Sequence, residues 1–230
     1  MLKKGHQYKD FNWEKIKNNE EAICTPLTSQ ATNWPVLLNG LKIKWADIDK
    51  NNLNISLTDV ENKINDKTRI ISAVHFAGNP VDIDKLNKIV KKAEKKFKKK
   101  ILIIEDCAHS FGSTYKNGEY VGCSNNLSTF SLQSIKHITS IDGGFFLTNS
   151  LSFEARAKRL KWYGIDRDKK HSIKDFRFYD DIFEEGFKFH MNDVLASIGR
   201  SNLKDARKII NIYKSNGKFY DNELKKISGV

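Results

Sequence analysis

The stretch ILIIED, Ile101–Asp106, runs four apolar residues straight into two carboxylates, Glu105 and Asp106. A strand with no polar alternation is buried on both faces, as in a parallel sheet covered by helices. In such sheets ligand groups gather where strands finish at their carboxyl ends, so Asp106 stands where chemistry is done. Outward from it, short apolar runs alternate with amphipathic ones, which is how βαβ units are written. Strands are predicted at Ala22–Thr25, Lys42–Asp47, Arg69–Phe76, Leu127–Leu132 and Gly144–Thr148. Helices are predicted at Thr28–Leu38, at Thr58–Asn65 with Thr58 and Glu61 as a capping box, and from Asp82 through a lysine-rich segment. From Ser152 the pattern turns helical, with Phe153–Tyr163 followed by a long periodic stretch from Asn192 to about Lys226. Between them Gly164–Lys188 has no clean period and reads as a long functional or interface loop. The expected class is α/β, with a mainly parallel central sheet flanked by helices.

Composition narrows the function. The 230 residues carry 40 Lys+Arg against 28 Asp+Glu, a formal charge of +12, and 39% are hydrophobic, too many for a disordered chain. No apolar run has the length of a membrane span, and the basic start has no apolar stretch behind it, so neither a membrane partner nor a secretory signal is expected. Cys24, Cys107 and Cys123 follow no metal-ligand spacing and cannot all pair, which points to a reducing cytoplasm and no metal. Much of the positive charge repeats at helical spacing. Lys85, Lys88, Lys92, Lys95 and Lys99 oppose an apolar face of Leu86, Ile89, Ala93 and Phe97, so they read as a solvated helix face. Nucleic acid is not an expected partner, because interleaved aromatics and a recognition-helix pattern are lacking.

Three segments carry the chemistry: IEDCAHSFGS (104–113), FSLQSIKHITSIDGG (130–144) and GFKFHMNDVLASIG (186–199). The second sets Lys136 among hydroxyls in a strand-to-loop turn, ahead of a Gly-Gly that permits close backbone approach. A partly desolvated lysine can form a Schiff base with a carbonyl. Joined to a carboxylate facing a pyridinium nitrogen, it meets the requirement of pyridoxal phosphate chemistry. Among 40 basic residues, spacing alone would leave Lys136 an ordinary surface lysine.

With ICTPLTSQATNWPVLLNG, KIKWADIDKNNLNIS, KTRIISAVHFAGNPVDID and LKWYGIDR in the same order, these segments resemble the DegT/DnrJ/EryC1/StrS family. That family comprises pyridoxal-phosphate sugar aminotransferases of fold type I, and SLQSIKHIT, WYGIDR and FKFHMNDV resemble its perosamine and viosamine synthase branch. The resemblance implies a fold type I large domain over 22–230 after a divergent leader, 1–21. The family's N-terminal Ser-Gly-Thr phosphate turn and its C-terminal small domain are missing from the pattern. It implies pyridoxal 5'-phosphate (PLP) as cofactor, a homodimer, and transfer of an amino group from glutamate to C4 of a nucleotide-linked 4-keto-6-deoxyhexose.

Residue by residue, the resemblance makes Lys136 the lysine that holds the cofactor and shuttles protons. Asp106 matches the acid paired with the pyridinium nitrogen, and Ala108 the small residue against one ring face. His109 takes the place of the group that hydrogen-bonds the ring hydroxyl, and Ser131 that of the hydroxyl on the phosphate. Lys188 and His190 fall where the family pattern G-x-N-x-R reaches the neighbouring subunit's cofactor phosphate. Ser29 stands where many members place a stacking aromatic, and Asp142 replaces the glutamate of E-G-G. Two other readings stay open: a sugar dehydratase, although such relatives typically replace the lysine with histidine, and a non-catalytic truncated or split-gene remnant.

Overall fold

The computed structural model describes residues 19–168 and 182–229. Most of the expected leader 1–21, and the middle of the loop at 164–188, lie outside those residues.

Among the described residues, six strands form one sheet: β1 (Glu21–Cys24), β2 (Lys42–Trp45), β3 (Thr68–Val74), β4 (Leu102–Asp106), β5 (Leu127–Ser131) and β6 (Gly144–Leu147), in the order β2-β1-β3-β4-β5-β6. Strands β1 to β5 run parallel, and β6 returns antiparallel beside β5. Between the parallel strands lie α1 (Gln30–Leu38), α2 (Leu57–Lys63) and α3 (Ile83–Phe97), followed after the sheet by α4 (Leu151–Leu160), α5 (Asp193–Lys204) and α6 (Ala206–Leu224).

Alternation along the strands builds a core on each face. Ile23, Ile71 and Ile103 pack with Val60, Leu86 and Val90 on one side. Their neighbours Ala22, Ile70 and Leu102 pack with Val36, Leu41 and Phe153 on the other. The lysine-rich helix behaves largely as read: Asp82 caps it by accepting from Lys85 N–H, Leu86, Ile89 and Ala93 are buried with Phe97 half-buried, and Lys85, Lys88, Lys92 and Lys95 are exposed, as is Lys99 just beyond its end.

Two expectations are corrected. The cap of α2 is Ser56, whose hydroxyl accepts from Asp59 N–H. Glu61, expected to close a box on Thr58, pairs instead with Lys92 of α3. The periodic stretch from Asn192 splits at Asp205, where the backbone leaves the helical region and Asp205 N–H bonds Asn202 O at 3.1 Å.

Burial sets an alkaline limit on stability. It pushes the Cys24 thiol up to about 12 and raises the thiol of Cys107 and the phenol of Tyr115 as well, Glu105's charge adding to the last two. Unfolded thiols ionise near 9.0 while the folded ones stay protonated. Stability is therefore complete below that pH and falls as pH rises, by at most about 1.4 kcal/mol per pH unit for each group. Melting temperatures measured from neutral pH upward should decline above pH 9, and Cys24→Ala should make the decline shallower. A flat profile would contradict this.

Candidate active site at the carboxyl edge of the sheet

Strands β1, β3, β4 and β5 all finish at one edge, and the loops leaving them build the site. Asp106 is the last residue of β4, paired with Val74 on one side and Thr129 on the other. Its carboxylate is held at both oxygens: Oδ1 accepts from Ala108 N–H at 3.0 Å, and Oδ2 from the Thr32 hydroxyl at 2.6 Å. Thr32 lies on α1, 74 residues away in sequence. Nothing near either residue announces the contact, and sequence reading missed it.

Lys136 sits at the tip of a loop that the backbone closes on itself. Leu132 N–H bonds Gly143 O, Ser140 N–H bonds Leu132 O, and Lys136 N–H bonds Gln133 O. Ile138 anchors the loop from below, 1% exposed, while Asn202 of α5 donates to Thr139 O at 2.8 Å. Gly144 allows the tight pairing with Ser131, because a Cβ there would strike Phe130 O. Ser131, ending β5 two residues beyond Asp106's neighbour Thr129, accepts from Gln133 N–H at 3.3 Å.

His109 is half-buried between these groups. Burial holds its imidazole below the usual histidine range, Lys136's positive charge lowers it further, and Asp106 opposes them. His137 is lowered too, by burial first and then by the charges of His109 and Lys136. His109 and His137 line one cavity, and their chain neighbourhoods bring the end of β4 with Asp106 and the loop with Lys136 to the same edge of the sheet. The backbone of His109 fits against Gly78, at φ +83°, where an added Cβ would lie 3.0 Å from His109 O. Beside them a cavity of about 240 Å³ is lined by Gly78, His109, Ser113, His137, Tyr213 and Lys214. Helix α6 forms its far wall, with Tyr213 edge-on to His137 at 4.7 Å and Ile210 seated over Gly112.

Beneath the site lies a second polar group that the sequence did not reveal. Glu105 is fully buried and accepts from four side chains: His75 Nε2 (2.8 Å), Tyr115 (2.6 Å), Asn126 Nδ2 (2.8 Å) and the Ser124 hydroxyl. His75 Nδ1 accepts from Val81 N–H at 3.0 Å, which leaves the ring proton on Nε2 to face Glu105. Burial alone would push the Glu105 carboxyl up, yet the hydrogen bonds from His75, Ser124 and Tyr115 hold it below the ordinary glutamate value. His75, Glu105 and Cys107 offer ligand atoms within 4.8 Å of one another. The carboxylate oxygens are already taken by the four donors, so the cluster reads as a hydrogen-bond network that ties the loops after β3 and β4 together.

Lys188 and His190 do not join this cluster within the chain. They gather round Trp162: Lys188 bridges it in backbone pairing with Nζ 6.0 Å from the ring, His190 stands edge-on at 4.1 Å, and Arg167 lies over it at 4.7 Å. They sit beside a separate groove of about 630 Å³ that includes His190 and Arg167 but not Lys136 or His109.

Comparison with known proteins bears directly on this arrangement. The model of the DegT/DnrJ/EryC1/StrS aminotransferase family matches residues 11–230. The crystal structure of sugar aminotransferase CalS13 from Micromonospora echinospora superposes with a TM-score of 0.85 at 36% identity, covering 95% of this chain and 58% of that one. The GDP-perosamine synthase of Escherichia coli O157:H7 is 31% identical over 87% of this chain and 53% of its own. The GDP-4-keto-6-deoxy-D-mannose 3-dehydratase of Escherichia coli O55:H7 is 28% identical over 92% of this chain and 55% of its own. The chain thus spans about half the length of the relatives it matches, and its sheet is an incomplete fold type I α/β domain. With nearly every residue inside the matched span, the chain belongs to the DegT/DnrJ/EryC1/StrS aminotransferase family.

Proposed function

We propose that this chain is the PLP-binding portion of a nucleotide-sugar aminotransferase, acting with glutamate on C4 of a nucleotide-linked 4-keto-6-deoxyhexose. The observation that carries the reading is the convergence, at the carboxyl edge of the sheet, of the β4 end bearing Asp106 and His109 with the loop after β5 bearing Lys136, whose neighbour His137 lines one cavity with His109. The donor set fits the cofactor: a carboxylate with a fixed plane, a lysine on a closed loop, a histidine whose pKa burial holds down, and Ala108 too small to obstruct a ring. When bound, PLP supplies an electron sink for the substrate carbon.

In this reading Asp106 pairs with the pyridine nitrogen and keeps it protonated, while Ala108 lies against the ring. His109 would hydrogen-bond the ring hydroxyl, and Ser131 would serve the phosphate. Lys136 holds the cofactor through Nζ and afterwards carries the proton there. Lys188 and His190, standing apart round Trp162, suit the phosphate of a second copy's cofactor, which makes the functional unit a homodimer. Retention of Lys136 favours amino transfer over the dehydration named for one relative.

Reconstitution tests the reading. The purified chain is incubated with PLP, reduced with borohydride and digested. The expected result is a cofactor mass increment on the peptide bearing Lys136. An increment spread over surface lysines, or none, would overturn it.

A further inference from the structure

We propose that Thr32 is a positioning residue for Asp106, aimed by a hydroxyl relay from Thr28. Thr32 Oγ1 lies 2.6 Å from Asp106 Oδ2 and 2.8 Å from Thr28 Oγ1. A hydroxyl has one proton to give. An ionised carboxylate has none, so the Thr32 proton points to Asp106 and Thr28 must donate to Thr32. The chain of donors then runs one way: Thr28 to Thr32 to Asp106.

The first turn of α1 fixes the Thr32 hydroxyl, and the bend leading into it fixes that of Thr28. Ser29 caps the helix by accepting from Ala31 N–H, Thr32 lies in the first turn behind it, and Thr28 sits in the bend just before the cap, which brings its hydroxyl against that of Thr32. The start of the turn is tied to the end of β1, where Thr25 Oγ1 accepts from Leu27 N–H and Thr25 O accepts from the Asn33 amide. With Oδ1 already held by Ala108 N–H, the Thr32 bond removes the remaining freedom of the carboxylate to rotate. Asp106 is thereby presented in one orientation before anything binds, which lowers the cost of ordering it on binding.

This role presupposes that Asp106 is the cofactor's partner, and the experiment separates the two claims. Thr32→Val, Thr32→Ser and Thr28→Val are compared with wild type in the full chain. PLP affinity is measured by titration, and the Asp106 13Cγ signal is recorded without cofactor. Thr32→Val is expected to weaken PLP binding about tenfold, the size of one hydrogen bond to a charged group. It should also move the Asp106 13Cγ signal. Thr32→Ser should restore both, and Thr28→Val should fall between. A merely structural role for Thr32 would not be rescued through its hydroxyl.

The proposal is overturned if Thr32→Val leaves affinity and the Asp106 signal unchanged, or if Thr32→Ser is as impaired as Thr32→Val. Should wild type bind no PLP, the functional reading falls and the 13Cγ signal decides alone: a signal moved in Thr32→Val and restored in Thr32→Ser supports the positioning role, and an unmoved one overturns it. If Thr32→Val does not fold, Thr28→Val decides, since a wild-type signal there would deny the relay.

Discussion

Glu105→Ala should lose about 4 kcal/mol of stability, a large share of the roughly 5–15 kcal/mol that holds such a domain together. The reason is the number of donors left behind. His75, Tyr115, Ser124 and Asn126 all point at this carboxylate, and burial denies water to all of them but the half-buried Ser124. Glu105→Gln is the control. Its amide oxygen can stay on His75 and Tyr115, while the Ser124 hydroxyl and the Asn126 amide turn over to accept. That substitution should cost only about 1–2 kcal/mol. Urea unfolding of the three proteins measures the difference, and equal losses for Ala and Gln would show that the network matters little.

The same carboxylate sets the acid limit. Its folded pKa lies below the ordinary 4.5, so its contribution is fully present above that value and disappears as pH falls through the lowered one. In Glu105→Gln the acid limb of the stability profile should flatten.

The second large effect is chemical. Lys136→Ala should abolish covalent capture of PLP, with no borohydride-fixed cofactor on the 130–144 segment. Lys136→Arg should fail equally, because it keeps the charge without offering a nucleophilic amine. Asp106→Ala should behave differently. Capture at Lys136 persists, while affinity falls about thirtyfold with the loss of a charge-assisted hydrogen bond to the ring. A further readout needs no cofactor. Lys136's charge is the second cause, after burial, of the lowered His109 pKa, so an NMR titration of Lys136→Ala should show His109 moving back up. An unmoved His109 would place Lys136 elsewhere than the loop geometry does.

How far this site could be read in advance depended on distance along the chain. ILIIED betrayed a buried strand because four apolar residues in a row admit few other environments, and the position of Asp106 followed from it. The α2 cap was ambiguous locally: Ser56 and Thr58 are both good caps, and only the packing of α2 against α3, which draws Glu61 to Lys92, decides between them. The break at Asp205 left no mark in the apolar period, which continues across it. Contacts such as Thr32 with Asp106, or His75 with Glu105, join residues 74 and 30 positions apart. They exist because β1, β3 and β4 are neighbours, and strand order is not written in any single segment.

Helix α6 has 19 residues, about 28 Å of rigid rod, and none of them is buried. Its contacts with the site's loops fall near its start, at Ile210 over Gly112 and Tyr213 against His137. From Asn211 to Leu224 every residue is exposed, so what holds the helix to the domain lies in its first turns, and little burial is lost if the outer turns swing away.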